Sequence, residues 1–355
     1  MKMSDIAEKA GVSIATVSRV INEDKNVRDS TREKILKIIE EYDYTPSAIA
    51  RNLSKKDNNT IGVVVPDISN PYFSEMVEGI SEVVDRENLN ILIYNTNDKM
   101  EKEQKSLQML LEQRIKGLVI TVTSESYEKG KNYLDKFVRG KIPVVLADRD
   151  IKYSSMDSVF IDNIGGAYTG VSVLIENDHR DIAIITGPLG SKPGRDRLRG
   201  YQNALSENGI EVIEENIYEG DFQMESGYKL GKEILSRKKR STAVFISNNQ
   251  MTLGFFKAMN EMKLSTPKDI AVLSFDRVEI LDIFDIKLTT VSASVRELGV
   301  RSAEMLLERI RNKDKDISQK TILQTTLDIK GSEKKLFKTK KSVIDYKEVK
   351  WGKYW

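Results

Sequence analysis

Ser4-Asp5-Ile6-Ala7-Glu8-Lys9-Ala10-Gly11-Val12-Ser13-Ile14-Ala15-Thr16-Val17-Ser18-Arg19-Val20-Ile21-Asn22 stands at the head of this 355-residue sequence. A second module closes with Tyr44-Thr45-Pro46-Ser47-Ala48-Ile49-Ala50-Arg51-Asn52-Leu53. Together they read as two short helices joined by a tight glycine turn, a third helix, and a small helix after Pro46. Ile6, Ala7 and Ala10 share one face of the first helix, with Ser4 placed to cap it. Gly11 falls where the chain must turn sharply, which glycine does without steric cost. In the second helix Val17, Val20 and Ile21 point inward, leaving Ile14, Ala15, Ser18, Arg19 and Asn22 outside. Ser30-x-x-Glu33 is a capping box for a third helix carrying Ile35, Ile38, Ile39 and Tyr42 at helical spacing. Such a unit closes a small core and leaves one polar helix, with hydroxyls at its start and an arginine one turn on, equipped to enter a DNA groove.

Composition bounds the remainder. A chain of this length holds two or three domains. No apolar run is long enough to span a bilayer and no signal-peptide pattern is present, so a cytoplasmic protein without a membrane partner is expected. With no cysteine there is neither a disulfide nor a thiolate metal site. The single histidine, His179, follows Glu176-Asn177-Asp178 and reads as part of a polar helix C-terminus, so no catalytic residue, cofactor or metal is expected. The net charge of +2 says little about partners, and residues 1–58 hold eleven Lys/Arg against ten Asp/Glu. Any DNA affinity must therefore come from how the cations are distributed.

After the polar linker Lys55-Lys56-Asp57-Asn58-Asn59-Thr60 the periodicity changes. Apolar strands at 61–65, 91–94, 117–122, 144–146, 182–186, 244–247 and 270–275 alternate with helices at 72–87, 101–113, 165–176, 196–208, 226–236, 251–262 and 295–311. This alternation predicts an α/β domain of parallel sheets flanked by helices, with two sheets and hence two lobes. Ligands of such sheets bind beyond the carboxyl ends of the strands. The residues at those ends are Asn70, Tyr72 and Phe73; Asp148 and Arg149; Arg195 and Arg197; Asn248; and Asp276. Carboxylates that accept from hydroxyls, arginines that donate, and aromatic faces that cover C–H patches suit a small polyhydroxylated ligand.

Asp5-Ile6-Ala7, Ala10-Gly11-Val12-Ser13, Ala15-Thr16-Val17-Ser18-Arg19-Val20, Asn22 and Tyr44-x-Pro46-x-Ala48-x-Ala50-Arg51-x-Leu53 resemble the pattern of the lactose-repressor (LacI/GalR) family of bacterial transcription regulators. The resemblance continues to about residue 330. It implies a small all-α helix-turn-helix domain (1–46), a hinge helix and linker (47–59), and a two-lobed domain like the periplasmic sugar-binding proteins (60–331). The first lobe would comprise about 60–161 and 292–320, the second about 162–291 and 321–331. The resemblance assigns base contacts to Ile14, Ala15 and Arg19 and places Ser13, Thr16, Ser18 and Asn22 toward phosphates. Apolar Ile14 and Ala15 then read thymine methyls, and Arg19 a base edge. It puts Ser47, Ala50 and Leu53 in a hinge helix ordered on DNA, with Leu53 wedged into the minor groove.

In the larger domain Asn70-Pro71-Tyr72-Phe73, Asp148-Arg149, Arg195-x-Arg197-x-x-Gly200-Tyr201, Asn248-x-x-Met251-x-x-Gly254 and Phe275-Asp276 match the family's ligand motifs, closest to the ribose-type arrangement. Ala293-Ser294 replaces the usual Gln-Pro, removing a contact amide, and Arg277 replaces a second acid. The implied protein is a homodimeric repressor of carbohydrate-utilisation genes on a pseudo-palindromic double-stranded operator, released by a monosaccharide or sugar derivative. The rivals are a purine-type regulator with a nucleobase corepressor, and a sugar-binding protein without DNA function. The segment 332–355 is a basic, aromatic tail, with eight lysines against three acids from Glu333 onward, and reads as an exposed, partly disordered extension.

Overall fold

The computed structural model describes residues 2–21, 24, 26–44, 59–123, 131–151, 154–238, 240–312 and 317–336. The chain divides into two compact units, Met1–Asn59 and Thr60–Trp355.

In the small unit, α1 (Met3–Ala10), α2 (Ile14–Ile21) and α3 (Asp29–Glu41) bury Ile6, Ala7, Ala10, Val17, Val20 and Ile35 against one another. Each buried valine or isoleucine contributes about 1.5–3 kcal/mol, which sets a small core. Gly11 adopts φ 66° and its amide donates to the Glu8 carbonyl, so the left-handed residue ends α1 and starts the turn. The Ser13 hydroxyl accepts from the Thr16 amide at 3.2 Å and caps α2. Two expected caps are displaced. Ser4 lies inside α1, where Asp5 accepts from the Lys2 amide at 2.8 Å instead. Ser30 and Glu33 lie inside α3, because the helix already begins at Asp29.

The larger unit holds two six-stranded sheets. The first is ordered β11-β5-β4-β3-β1-β2, from β1 (Thr60–Val65), β2 (Asn90–Asn95), β3 (Gly117–Ile120), β4 (Val144–Ala147), β5 (Asp157–Ile161) and β11 (Lys320–Leu323). The second is ordered β12-β10-β9-β8-β6-β7, from β6 (Ile182–Thr186), β7 (Ile217–Glu219), β8 (Ala243–Ile246), β9 (Ala271–Phe275), β10 (Thr289–Ser292) and β12 (Thr326–Asp328). All pairings are parallel except β10 with β12. The inner strands are buried from end to end, as sheets covered on both faces require.

Around the first sheet lie α4 (Pro71–Arg86), α5 (Met100–Glu112), α6 (Lys131–Arg139) and α12 (Val295–Arg311). The second carries α7 (Asn163–Glu176), α8 (Lys192–Glu207), α9 (Met224–Ser236), α10 (Asn249–Glu261) and α11 (Glu279–Ile283). Helices α4 and α12 approach so closely that a Cβ on Gly79 would stand 2.2 Å from the Arg296 carbonyl oxygen. One on Gly299 would stand 2.0 Å from that of Met76. The chain passes between lobes after Ile161, after Ser292 and after Leu323. The expected third crossing at 320/321 is therefore too early, since residues 320–323 pair with β5 along its length.

Two further expectations are corrected. His179 does close the C-terminal end of α7, its amide donating to the Leu174 carbonyl, but its side chain is not a polar surface group: it is 1% exposed, with its ring nitrogens 2.8 Å from the Thr242 hydroxyl and 3.1 Å from the Glu333 carbonyl oxygen. The segment from 332 does not begin as an exposed extension. Ser332 donates to the Val272 carbonyl and accepts from the Thr289 amide, and the Glu333 carboxylate accepts from the Gly331 amide and the Thr289 hydroxyl. Residues 337–355 lie outside the described residues.

Candidate functional site

In α2 the buried side takes Val17 and Val20, and the opposite side exposes Ile14, Ala15 and Arg19, Ile14 by 52%. Ile14 thus stands half in water at the start of a capped helix. Ser13 and Thr16 link their hydroxyls at 2.9 Å at the helix start, and Ser18 is half-buried on the next turn. Asn22, Ser47, Ala50 and Leu53 lie outside the described residues.

In the larger unit the strand ends of both lobes face a common cleft. Asn70, Tyr72, Phe73, Asp148 and Arg149 line it from the first lobe, Arg197, Asn248 and Asp276 from the second. The lobes repeat one device. Asp148 follows β4 with φ 66° and its amide donates to Val159 in the next strand; Asp276 follows β9 with φ 68° and donates to Val291. The left-handed turn aims each carboxylate inward over its own sheet.

Each arginine is held from behind. Arg149 donates to the Asp98 carboxylate at 2.6 Å and to the Val122 carbonyl at 3.3 Å, and its guanidinium stands 5.7 Å from the ring of Phe222 in the opposite lobe. Arg197 donates to the Asn163 side chain at 2.8 Å and to the Ser247 carbonyl, lies 3.5 Å from the Asp276 carboxylate, and stacks 3.7 Å over Phe275. Burial raises the Asp276 carboxyl to about 6, with nearby Asp148 adding to the rise and Arg197 opposing it. At the start of α4, Asn70 accepts from the Tyr72 amide at 3.1 Å and from the Asn249 side chain of the other lobe at 2.8 Å. The cleft thus combines paired charges, amides and three aromatic rings.

Arg195, predicted beside Arg197, does not line the cleft. It donates to the carbonyls of Leu189 and Gly190 and lies 3.8 Å from Asp150. Two residues apart on a helix point to nearly opposite sides, so only one of the two arginines can face inward. Asn248 lines the cleft, but its amide is committed, accepting from the Met251 amide and donating to the Phe222 carbonyl. Asp98, Phe222, Gln223 and Asn249 are lining residues that sequence reasoning missed. Asp98 and Phe222 sit at positive φ in loops that follow edge strands, and no strand-end pattern marks them. Among the described residues no group of acids and histidine is placed to hold a metal ion.

Comparison with known proteins places both units. A family model described as bacterial regulatory proteins, lacI family, matches residues 2–47, and one described as periplasmic binding proteins and sugar binding domain of LacI family matches residues 58–333. The HTH-type transcriptional repressor PurR of Edwardsiella ictaluri is 37% identical over 315 residues, covering 88% of this chain and 92% of that protein. PurR of Vibrio campbellii is 34% identical over 312 residues, with the same coverage of each. Among solved structures, a lac repressor dimer bound to operator and the anti-inducer ONPF superposes with a TM-score of 0.79 at 28% identity, covering 94% of this chain and 99% of that one. A LacI family regulator from Enterococcus faecium with bound ribose gives a TM-score of 0.70 at 25% identity, covering 78% and 100%.

Proposed function

The chain belongs to the LacI family of DNA-binding transcriptional repressors, and from that premise we propose that a small carbohydrate, bound between the lobes of the larger unit, releases it from its operator. The observation that carries the reading is the cleft itself. Two aspartates on matching turns, two buttressed guanidiniums and the rings of Tyr72, Phe73 and Phe222 converge from both lobes. Hydroxyls donate to the carboxylates, the guanidiniums donate to ring and hydroxyl oxygens, and the aromatic faces take the C–H side. A ligand that contacts both lobes has different affinities for different lobe angles, which is what a switch requires.

In this reading Ile14, Ala15 and Arg19 touch bases, and Ser13, Thr16, Ser18 and Asn22 touch phosphates. Ser47, Ala50 and Leu53 form the hinge contact in the minor groove. Two copies act together on a pseudo-palindromic site in the cytoplasm, where the DNA is. Exposed Ile280, Ile283 and Phe284 beside α11, and Ile93 on the edge strand β2, offer apolar surface for the second copy. A second reading, a nucleobase acting as corepressor, rests on the likeness to repressors named PurR. Phe73 and Phe222, one from each lobe, also offer rings to a planar base, and it is the charged forks of Asp148, Arg149, Arg197 and Asp276 that favour the sugar.

Gel shift on an operator selected from random DNA tests both readings. Release by a pentose or hexose and no response to hypoxanthine or guanine is the expected result. Tightening by a nucleobase with no response to any sugar would overturn the carbohydrate reading. Arg19→Ala should abolish operator binding while Asp148→Ala leaves it intact in the absence of sugar.

A further inference from the structure

Tyr72 carries a hydroxyl that an aromatic wall does not need. Its backbone is fixed at the start of α4, where Pro71 opens the helix and Asn70 accepts from the Tyr72 amide, and Phe73 meets its ring edge-on with centroids 5.1 Å apart and planes at 79°. From that position the hydroxyl donates to Oδ1 of Asp148 at 2.6 Å, the length of a strong charge-assisted bond. Both partners are buried, Tyr72 at 8% and Asp148 at 4% exposure. The other carboxylate oxygen of Asp148 lies 4.0 Å from Nε of Arg149, and that Nε has no hydrogen-bond partner. One oxygen of Asp148 is therefore already satisfied by the protein, while the other oxygen and the Arg149 Nε keep capacity for a ligand. Burial and the charges of Asp148 and Asp276 push the Tyr72 phenol well above its usual range, so it keeps its proton and remains a donor.

We propose that the Tyr72 hydroxyl is a specificity-determining group that takes the place of one sugar hydroxyl on Asp148, so that the cleft selects a pentose or deoxy sugar over the analogue bearing a further hydroxyl at that end. A sugar whose further hydroxyl falls on Oδ1 of Asp148 has to displace the phenol and leave a buried donor unpaired, whereas a hydroxyl directed at the other oxygen does not. A sugar without it meets only the free oxygen and the Arg149 Nε. The proposal rests on the carbohydrate reading above.

Titration calorimetry on the full-length wild type and on Tyr72→Phe, with the matched pairs xylose and glucose, fucose and galactose, and 2-deoxyribose and ribose, tests it. The wild type should bind the member lacking the hydroxyl at least about tenfold tighter in the pair it recognises. Tyr72→Phe should remove or reverse that preference by tightening the hydroxyl-bearing member, with an unchanged thermal transition as the check on folding. A wild type that prefers the hydroxyl-bearing sugar in every pair it binds refutes the inference without any variant. An unchanged ratio in Tyr72→Phe, or loss of all sugar binding in that variant alone, also refutes it, and both leave the carbohydrate reading standing. No sugar bound by either protein removes the carbohydrate reading and the inference with it.

Discussion

Replacing Asp276 by asparagine separates the two consequences of burying a carboxylate where a ligand is to bind. Its carboxyl is raised from an ordinary 3.8 to about 6, mainly by burial. Between those values the folded chain holds a proton that the unfolded chain has released, so folding stability falls as pH rises from 3.8 to about 6 and stays reduced above it. At 1.36 kcal/mol per tenfold change in proton affinity, the difference corresponds to about 3 kcal/mol at neutral pH. Asp276→Asn removes that cost and leaves Arg197 its bonds to Asn163 and Ser247. The variant should therefore unfold at higher temperature at pH 7, by at most about 3 kcal/mol, and match the wild type near pH 4.

Ligand affinity should move the opposite way. If sugar hydroxyls donate to the ionised carboxylate, wild-type affinity is constant above pH 7 and falls as pH drops through about 6, roughly tenfold weaker at pH 5. Asp276→Asn should bind weakly with a flat profile. Calorimetric titration from pH 5 to pH 8 and thermal melts over the same range measure both. A wild-type affinity independent of pH, together with an Asp276→Asn variant no more stable than wild type at pH 7, would refute the assignment of Asp276 as a strained ionised acceptor.

Three other outcomes are expected. Gly299→Ala drives a methyl against the Met76 carbonyl and should cost about 1–3 kcal/mol in urea unfolding by forcing α4 and α12 apart. Burial lowers the His179 pKa below 6.5, so its neutral form stabilises the fold above that value; stability should fall as pH drops below 6.5, and His179→Gln should flatten that part of the melting profile. Asn249→Asp puts a carboxylate against the side-chain oxygen of Asn70, breaking the link between lobes. Small-angle scattering should report a wider lobe angle, and sugar affinity should drop about tenfold.

The helical unit and the inner strands were legible because their signals are periodic and redundant. Ile35, Ile38 and Ile39 along α3 and the continuous apolar runs of β1, β6 and β9 each repeat one message several times. The strands at 157–161, 217–219, 289–292, 320–323 and 326–328 were missed for physical reasons. Four of them are no longer than four residues, and three of those are sheet edges with Tyr218 as their one buried side chain, while 157–161 is buried throughout but opens on the polar pair Asp157-Ser158. The cleft was legible wherever a residue directly follows an inner strand, as Asp148 and Asp276 do. It was not legible at Asp98, Phe222 and Asn249, which reach the site through loop conformation or a helix's first residue, neither of which leaves a pattern in sequence. Arg195 shows the opposite error, a residue of the right chemistry carried by helix geometry to the wrong side.

The small unit also constrains how the switch must be built. With eleven cations against ten acids over residues 1–58, one copy has little net electrostatic attraction for DNA, and phosphate neutralisation supplies most non-specific affinity. On the proposed contacts, a single α2 presenting Ile14, Ala15 and Arg19 would bind weakly by itself. Joining two copies makes the second contact intramolecular, raising affinity by orders of magnitude without any new contact, provided the spacing fits. The same dependence makes release inexpensive. In the proposed reading a change in lobe angle has only to spoil the spacing between copies to return each unit to its weak single-site affinity. On that reading the weak individual charge suits a repressor that a small molecule removes, since a strongly basic unit would hold non-specific DNA at any spacing.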